Sequence, residues 1–340
     1  CVVKDCATGR TTPSCATKVQ DGMKIETDTE DIREARREIL RMILNEHVGD
    51  CEGPCSRICP ASLNIPRMMR YLAAGDMEAA ARLAKHDLVF PATLGWVCTA
   101  PCEKICRRGT YDTSLKIRRS HGEVSERALK NNMAYDAPAT RSGKKVAIVG
   151  AAFAGMVAAW LCQQQGHACR VYEKNAIACA SLRSLPPEKL PPEILDSEIA
   201  AVENLGAEFV FNKEVGKDIT LESLLGEFDA VLLACKLPHE KYPALFTTQE
   251  DTMYVRAVGT TKAAVHKMDK YLRGIADTGN TKPFCSQIGR LRPGEMDTYA
   301  AERLAMPTTA SDTKDQLRLE SVRCLHCDCT KPVSCKLRQY

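Results

Sequence analysis

Eighteen cysteines in 340 residues limit what this chain can be. Nine fall between Cys1 and Cys106 and four more between Cys324 and Cys335, and in the densest runs neighbours stand two to six residues apart. Ordinary cytosolic proteins carry far fewer thiols, and secreted disulfide scaffolds spread theirs evenly through much shorter chains. Runs this tight suit metal ligands. At roughly 100–200 residues per domain the length allows two or three domains.

The remaining composition excludes other classes. With 47 basic residues against 43 acidic ones, and aromatics at 5%, there is neither a cationic surface nor a stacking platform, so nucleic acid is not expected as a partner. The longest apolar run, Val146 to Cys162, is 17 residues, the lower limit for a span, and Gly150 and Gly155 divide it into a strand-like and a helix-like half. Direct membrane insertion is not expected, and a cytoplasmic protein with reduced thiols is. No basic-then-apolar signal opens the chain, which starts at Cys1 rather than Met and leaves room for an upstream segment.

Four regions follow from changes in pattern. Residues 1–26 mix short β-like runs with turn residues. Residues 27–142 read as helical: Thr27 and Glu30 suggest a capping box, Ile32, Ala35, Ile39, Met42 and Ile43 recur at helical spacing toward His47, and two helical runs follow between Ile65 and Asp87. Residues 143–275 alternate strand and helix, beginning with KKVAIVG, a helix to Gly166 and ACRVYEK, and ending in a helix from Val255 to Leu272. Residues 276–340 read as a loop-rich tail with the last cysteine group.

The second cysteine group reads H47-V-G-D-C51-E-G-P-C55-S-R-I-C59-P, and the third C98-T-A-P-C102-E-K-I-C106. Gaps of three residues let a loop turn its thiolates around a cubane, with the Cys before Pro directed to a neighbouring cluster. This pair of motifs resembles the N-terminal iron-sulfur domain of the glutamate synthase small subunit and of dihydropyrimidine dehydrogenase. The resemblance implies two 4Fe-4S clusters. The first would take Cys51, Cys55 and Cys106, with His47 where the family has another Cys. The second would take Cys59, Cys98 and Cys102, with His121 at the position of a family Glu or Gln. For either histidine a surface or capping role is the alternative.

The opening segment, with Cys1 and Cys15 followed by ATKVQDGM and a helix ending in H-x-x-x-C, resembles the 2Fe-2S ferredoxin start of NADH-dehydrogenase and iron-only hydrogenase subunits. Cys1 and Cys15 would be two of its four ligands, the other two lying upstream, so that either the chain is a fragment or the cluster is lost; taken alone, these cysteines could also be core residues. A partial β-grasp fold is then expected, and Cys6 has no counterpart. The terminal group, Cys324, Cys327, Cys329 and Cys335, places four thiols in twelve residues. A third 4Fe-4S cluster is the preferred expectation; zinc and uncoordinated thiols are the alternatives. Isolated Cys162, Cys169, Cys179, Cys235 and Cys285 read as small buried apolar residues.

The strand, Gly turn and helix from Lys145, with Glu173 about twenty residues on, form the layout of a dinucleotide-binding unit. Gly150, Ala152 and Gly155 occupy the fingerprint, and Glu173 would face a ribose. In the glutamate synthase small subunit, which this stretch resembles, the unit binds FAD. The fingerprint is damaged here. Ala152 replaces the Gly that lets the backbone approach phosphates, Ala178-Cys179-Ala180 and Ala234-Cys235-Lys236 replace two family turns, and no Gly-Asp pair precedes Arg256. FAD is therefore less expected than not. The stretch from Lys236 to Val255 is too short for the family's NAD(P)H insertion, so no NAD(P)H is expected.

The fold expected is thus α/β plus an α-helical iron-sulfur domain: a partial β-grasp ferredoxin start, a helical two-cluster domain and a Rossmann-like FAD-type domain lacking the NAD(P)H insertion. The function expected is an iron-sulfur electron-transfer subunit of a larger oxidoreductase of anaerobic metabolism, with hydrogenase, formate dehydrogenase or NADH-dehydrogenase-like partners and no catalytic residue of its own. An FAD-containing oxidoreductase subunit of glutamate synthase type is the alternative, and a zinc-binding assembly factor a weaker one.

Overall fold

The computed structural model describes residues 2–45, 50–133, 135, 140–248, 253–277, 279, 285–287, 294, 297, 313–329 and 335. Cys1 and His47 lie outside them. Three short antiparallel strands open the chain, β1 (Val2–Asp5), β2 (Thr11–Pro13) and β3 (Ile25–Glu26), in the order β2-β1-β3. Helix α1 (Glu30–Asn45) packs on β1, where Ile32 is fully buried and Arg36 donates to the Val2 carbonyl at 3.0 Å. It starts at Glu30, so Thr29 rather than Thr27 precedes it. The Glu30 carboxylate faces Arg37 at 3.3 Å instead of closing a capping box, because Glu30 opens the helix rather than standing at its third position.

The helical domain is a series of short helices. These are α2 (Pro54–Ile58), α3 (Ile65–Ala73), α4 (Met77–Leu88), α5 (Pro91–Val97), α6 (Pro101–Lys104), a 3-10 turn (Arg107–Thr110) and α7 (Ile117–Lys130). Proline at the first turn starts α2, α3, α5 and α6, where a missing N–H costs nothing. Asn64 and Asp76 cap α3 and α4 by accepting the amides of Arg67 and Ala79. Met68, Met69, Leu72, Ala80, Ala84 and Leu88 form the core between them. Helices α5 and α7 cross almost in backbone contact, since a methyl on Gly95 would stand 2.5 Å from the Gly122 Cα.

The α/β unit has a five-stranded parallel sheet in the order β6-β5-β4-β7-β8. Its strands are β4 (Lys145–Val149), β5 (Ala168–Tyr172), β6 (Glu208–Val210), β7 (Ala230–Leu233) and β8 (Leu245–Thr247). The helices are α8 (Phe153–Gln164), α9 (Ala180–Arg183), α10 (Pro192–Glu203), α11 (Leu221–Glu227) and α12 (Tyr254–Leu272). The apolar run at Val146 is thus β4 plus α8, both buried because the sheet is covered on its faces. Among the described residues no helix is long and apolar enough to cross a membrane. Cys162, Cys169 and Cys179 are buried as expected, while Cys235 and Cys285 are half-buried.

The two units share one core and several polar links. Lys262 of α12 donates to the carbonyls of Ala61 and Asp87 at 3.0 and 2.9 Å. Glu198 of α10 is fully buried and accepts the Ala92 and Thr93 amides at the start of α5. The tail is less loop-like than its composition suggests: helix α13 (Thr313–Val322) returns to pack on α3, with Leu317 and Ser321 buried.

Candidate iron-sulfur centres and nucleotide site

Short helices set the thiols of the second and third motifs at their ends. Cys55 lies in α2 and Cys59 ends it; Cys98 ends α5; Cys102 lies in α6; Cys106 precedes the 3-10 turn. Cys59, Cys98 and Cys102 are buried and close together: Cys59 opposes ionisation of both Cys98 and Cys102, and Cys98 that of Cys102. Burial is the main cause that raises all three, and Cys102 is raised furthest. Backbone amides work the other way. Those of Leu63, Ala61 and Ser62 favour the Cys59 thiolate, and the Ala100 amide donates to the Cys98 sulfur at 3.4 Å. Thiols so placed are costly as bare anions, yet offer sulfur ligands already provided with hydrogen bonds; bound iron removes the charge penalty.

His121 sits on α7, fully enclosed, with Nδ1 3.0 Å from the Pro91 carbonyl oxygen. Burial lowers its pKa to about 4, a shift the Pro91 bond partly opposes and Arg118 adds to. The ring is neutral at physiological pH and donates through Nδ1, leaving the Nε2 lone pair as the basic site. That is the state a metal-ligating imidazole needs. Arg118 ties the start of α7 to this group, its side chain reaching the Cys98 carbonyl at 3.0 Å and its amide the Glu103 carboxylate at 2.8 Å.

The other thiols distribute differently from the motif spacing. Cys55, Cys106, Cys324 and Cys327 line one small cavity between α2, the 3-10 turn and the tail after α13. Burial followed by the thiols of Cys324, Cys106 and Cys327 pushes Cys55 well up. Burial pushes Cys324 to about 12 and Cys327 to about 11, the latter partly opposed by Arg107. Cys51 is buried, and its sulfur lies 3.2 Å from the Ser286 amide and 3.3 Å from the Ser286 hydroxyl. Cys329 and Cys335 are half-buried, and Cys15 is exposed in the turn after β2. Among the described residues no three His, Cys, Asp or Glu side chains converge closely enough to hold a single metal ion.

Charged residues unremarked in the sequence surround this cavity. Asp50 is fully buried between Arg57 at 2.8 Å and Arg107 at 3.1 Å. Its amide donates to the Cys327 carbonyl at 3.2 Å. Arg108, also fully buried, chelates Asp112 and donates to the Arg323 carbonyl at 3.2 Å. In the sequence the only signal of this role is that Arg107 and Arg108 directly follow Cys106 and that Arg57 lies between Cys55 and Cys59.

At the nucleotide-type turn, Gly155 must be Gly, since a methyl there would meet the Gly150 carbonyl oxygen at 1.9 Å. Glu173 is buried, with one oxygen accepting the Ala151 amide at 2.6 Å and the other the amide and side chain of Asn175. Ala152 caps α8, and Phe153 packs edge-on against Phe90 and Tyr254 at ring distances of 5.4 and 5.3 Å. Both Glu173 oxygens are therefore engaged within the protein, with the Ala151 amide on Oε2 and the Asn175 amide and side chain on Oε1.

Comparison with known proteins agrees with the two-part architecture. Residues 23–133 match the family model of dihydropyrimidine dehydrogenase domain II, 4Fe-4S cluster, and residues 148–199 that of an NAD(P)-binding Rossmann-like domain. The chain is 27% identical over 295 residues to the NADP(+)-dependent formate dehydrogenase subunit beta of Moorella thermoacetica, covering 77% of this chain and 41% of that protein. It is 34% identical over 191 residues to the NAD-dependent dihydropyrimidine dehydrogenase subunit PreT of Escherichia coli (strain K12), 55% of this chain and 46% of that one. With the glutamate synthase [NADPH] small chain of Bacillus subtilis the identity is 35% over 178 residues, 52% of this chain and 36% of that one. The chain thus spans less than half the length of each of these relatives. The resemblance to the dihydropyrimidine dehydrogenase and glutamate synthase group is shown. The NAD(P)-binding match stands against the expectation that the chain takes no NAD(P)H.

Proposed function

We propose that this chain, an iron-sulfur domain of the dihydropyrimidine dehydrogenase type joined to a Rossmann-like domain, is an electron-transfer subunit of a multisubunit oxidoreductase. The observation that carries this is the convergence of Cys59, Cys98 and Cys102 from three separate helix ends into one buried group, with backbone amides turned on the sulfurs of Cys59 and Cys98. These three, with the neutral His121, would hold one 4Fe-4S cluster; Cys55 and Cys106 would supply ligands to a second, which the motif pattern completes with Cys51 and His47. Such clusters supply one-electron transfer, and the protein sets their potential by ligand type, hydrogen bonds, local charge and burial. Here His121 contributes a neutral ligand and the Leu63, Ala61 and Ser62 amides stabilise the Cys59 sulfur. Arg57 and Arg107 hold positive charge beside the second site, and the core of α3 and α4 excludes water.

In this reading the Rossmann-like domain is mainly a scaffold that fixes α5 through Glu198. Cys1 and Cys15 would be two ligands of a 2Fe-2S site, and the partners are redox subunits of the formate dehydrogenase, hydrogenase or NADH dehydrogenase kind in the cytoplasm. A second reading, a dinucleotide-binding oxidoreductase subunit, is favoured by the NAD(P)-binding match over residues 148–199.

Anaerobic purification followed by iron, sulfide, zinc, flavin and nicotinamide quantitation tests the choice. About eight or more irons per chain, two cubane signals in the reduced protein and no stoichiometric nucleotide are expected. One FAD or NAD(P)H per chain selects the second reading. Zinc in place of iron removes both.

A further inference from the structure

We propose that the two ends of the chain share one cluster: Cys55 and Cys106 from the helical domain and Cys324 and Cys327 from the tail together ligate a single 4Fe-4S cubane. This rests on the reading that the helical domain binds cubanes, and it replaces His47 and Cys51 as partners of Cys55 and Cys106. It also removes Cys324 and Cys327 from a self-contained terminal cluster.

Three observations carry it. The four side chains line the same cavity, at its one junction of α2, the 3-10 turn and the tail. The tail is fixed there by independent contacts. Arg70 of α3 chelates Asp328 at 2.9 and 2.5 Å, Asp50 and Asp328 form a parallel backbone bridge, the Asp50 amide bonds the Cys327 carbonyl, and Arg108 holds the Arg323 carbonyl. Finally, Cys51 is not among the residues that line this cavity.

The chemistry of the set fits. Cys55, Cys106, Cys324 and Cys327 all reach the same cavity, and each offers one sulfur ligand once its proton is displaced by iron. A cubane carries a ligand on each of four corners of a body larger than one ion, which matches thiols arranged around a space rather than around a point. Arg107, which lines the cavity, and Arg57 flank the single carboxylate of Asp50, placing net positive charge where a four-thiolate cluster is anionic.

The test compares the anaerobically reconstituted full chain with Cys55→Ala, Cys327→Ala and the double variant, read by iron and sulfide content and by electron paramagnetic resonance of the reduced protein. One shared cluster predicts that each single variant loses about four irons and the same spectral component, and that the double variant loses no more. Additive losses, with the double variant short by about eight irons, overturn the proposal, as does unchanged iron in Cys327→Ala. A wild-type chain without any cubane would remove the parent reading as well, which separates the two failures. Should a variant not fold, iron-edge anomalous density from wild-type crystals decides: density among the four sulfurs supports the shared site, and density confined to Cys324, Cys327, Cys329 and Cys335 overturns it.

Discussion

The guanidinium of Arg70 grips the carboxylate of Asp328 with two hydrogen bonds, 258 residues apart in sequence. Asp328 is nearly buried and Arg70 about two-thirds so, which makes the pair stronger than an exposed surface bridge. Arg70→Ala removes both bonds and leaves the largely buried Asp328 carboxylate without its guanidinium. Amides of residues 321–328 are expected to exchange about tenfold faster, equivalent to roughly 1.4 kcal/mol of local stability. Hydrogen exchange read by mass spectrometry checks this, and unchanged protection of the segment would show that α13 alone holds it.

Gly95→Ala is expected to destabilise the protein by about 1–3 kcal/mol, because the new methyl must push into the Gly122 backbone rather than into a movable side chain. The displacement falls between the helix that ends at Cys98 and the one that carries His121. Iron retention should therefore fall along with the denaturation midpoint. Gly226→Ala, where a methyl meets nothing within 4 Å, is the control and is expected to be neutral or mildly stabilising.

Glu198 joins the two units through the first turn of α5, where its carboxylate takes two amides otherwise without a partner in the helix. Glu198→Ala leaves those amides and the nearby Lys85 ammonium buried without it. A loss of roughly 3–5 kcal/mol in denaturant unfolding is expected. Glu198→Gln, which keeps one acceptor, should lose less. Equal losses in the two variants would assign the effect to packing instead.

Lys85 is fully buried, with its ammonium 4.0 Å from the centre of the Trp160 ring and no hydrogen-bond partner among the described residues. Burial lowers its pKa from 10.5 to about 8, partly opposed by Glu198. The unfolded chain therefore binds more protons than the folded one between those values, and stability rises with pH across that window. The cost present below pH 8 is about 3 kcal/mol at 1.36 kcal/mol per unit. Lys85→Met should be more stable than wild type at pH 7, with the advantage shrinking as pH approaches 10.5. A difference that stays constant with pH would mean that Lys85 is not the titrating group.

Periodicity was enough to find the α/β unit and the main helices, because alternating strand and helix patterns are local: α10, α11, β7 and α12 stand within a few residues of where their apolar spacing puts them. The set of Cys59, Cys98 and Cys102 came from the resemblance to the glutamate synthase and dihydropyrimidine dehydrogenase domain rather than from spacing, and the three stand close together in the fold. The tail was not legible. Helix α13 buries only Leu317 and Ser321 of its central residues, too sparse a stripe to read, and Cys324 and Cys327 meet Cys55 and Cys106 through contacts across more than two hundred residues. Spacing within a motif says which thiols could share a loop. It cannot say which other segment the loop will face.

His121 gives the most direct handle on cluster chemistry. Its Nδ1 is committed to the Pro91 carbonyl and its ring is neutral, so a role as ligand falls to Nε2. Replacing neutral imidazole by thiolate adds one negative charge to the cluster and lowers its reduction potential. His121→Cys is accordingly expected to shift one of the two cubane potentials downward and alter its spectrum, leaving the other unchanged; His121→Ala should lose or weaken that same component. A redox titration monitored by electron paramagnetic resonance separates these outcomes. If both potentials and both spectra stay at wild-type values in His121→Cys, His121 is only the buried partner of Pro91 that locks α7 against α5, and the fourth ligand beside Cys59, Cys98 and Cys102 lies elsewhere.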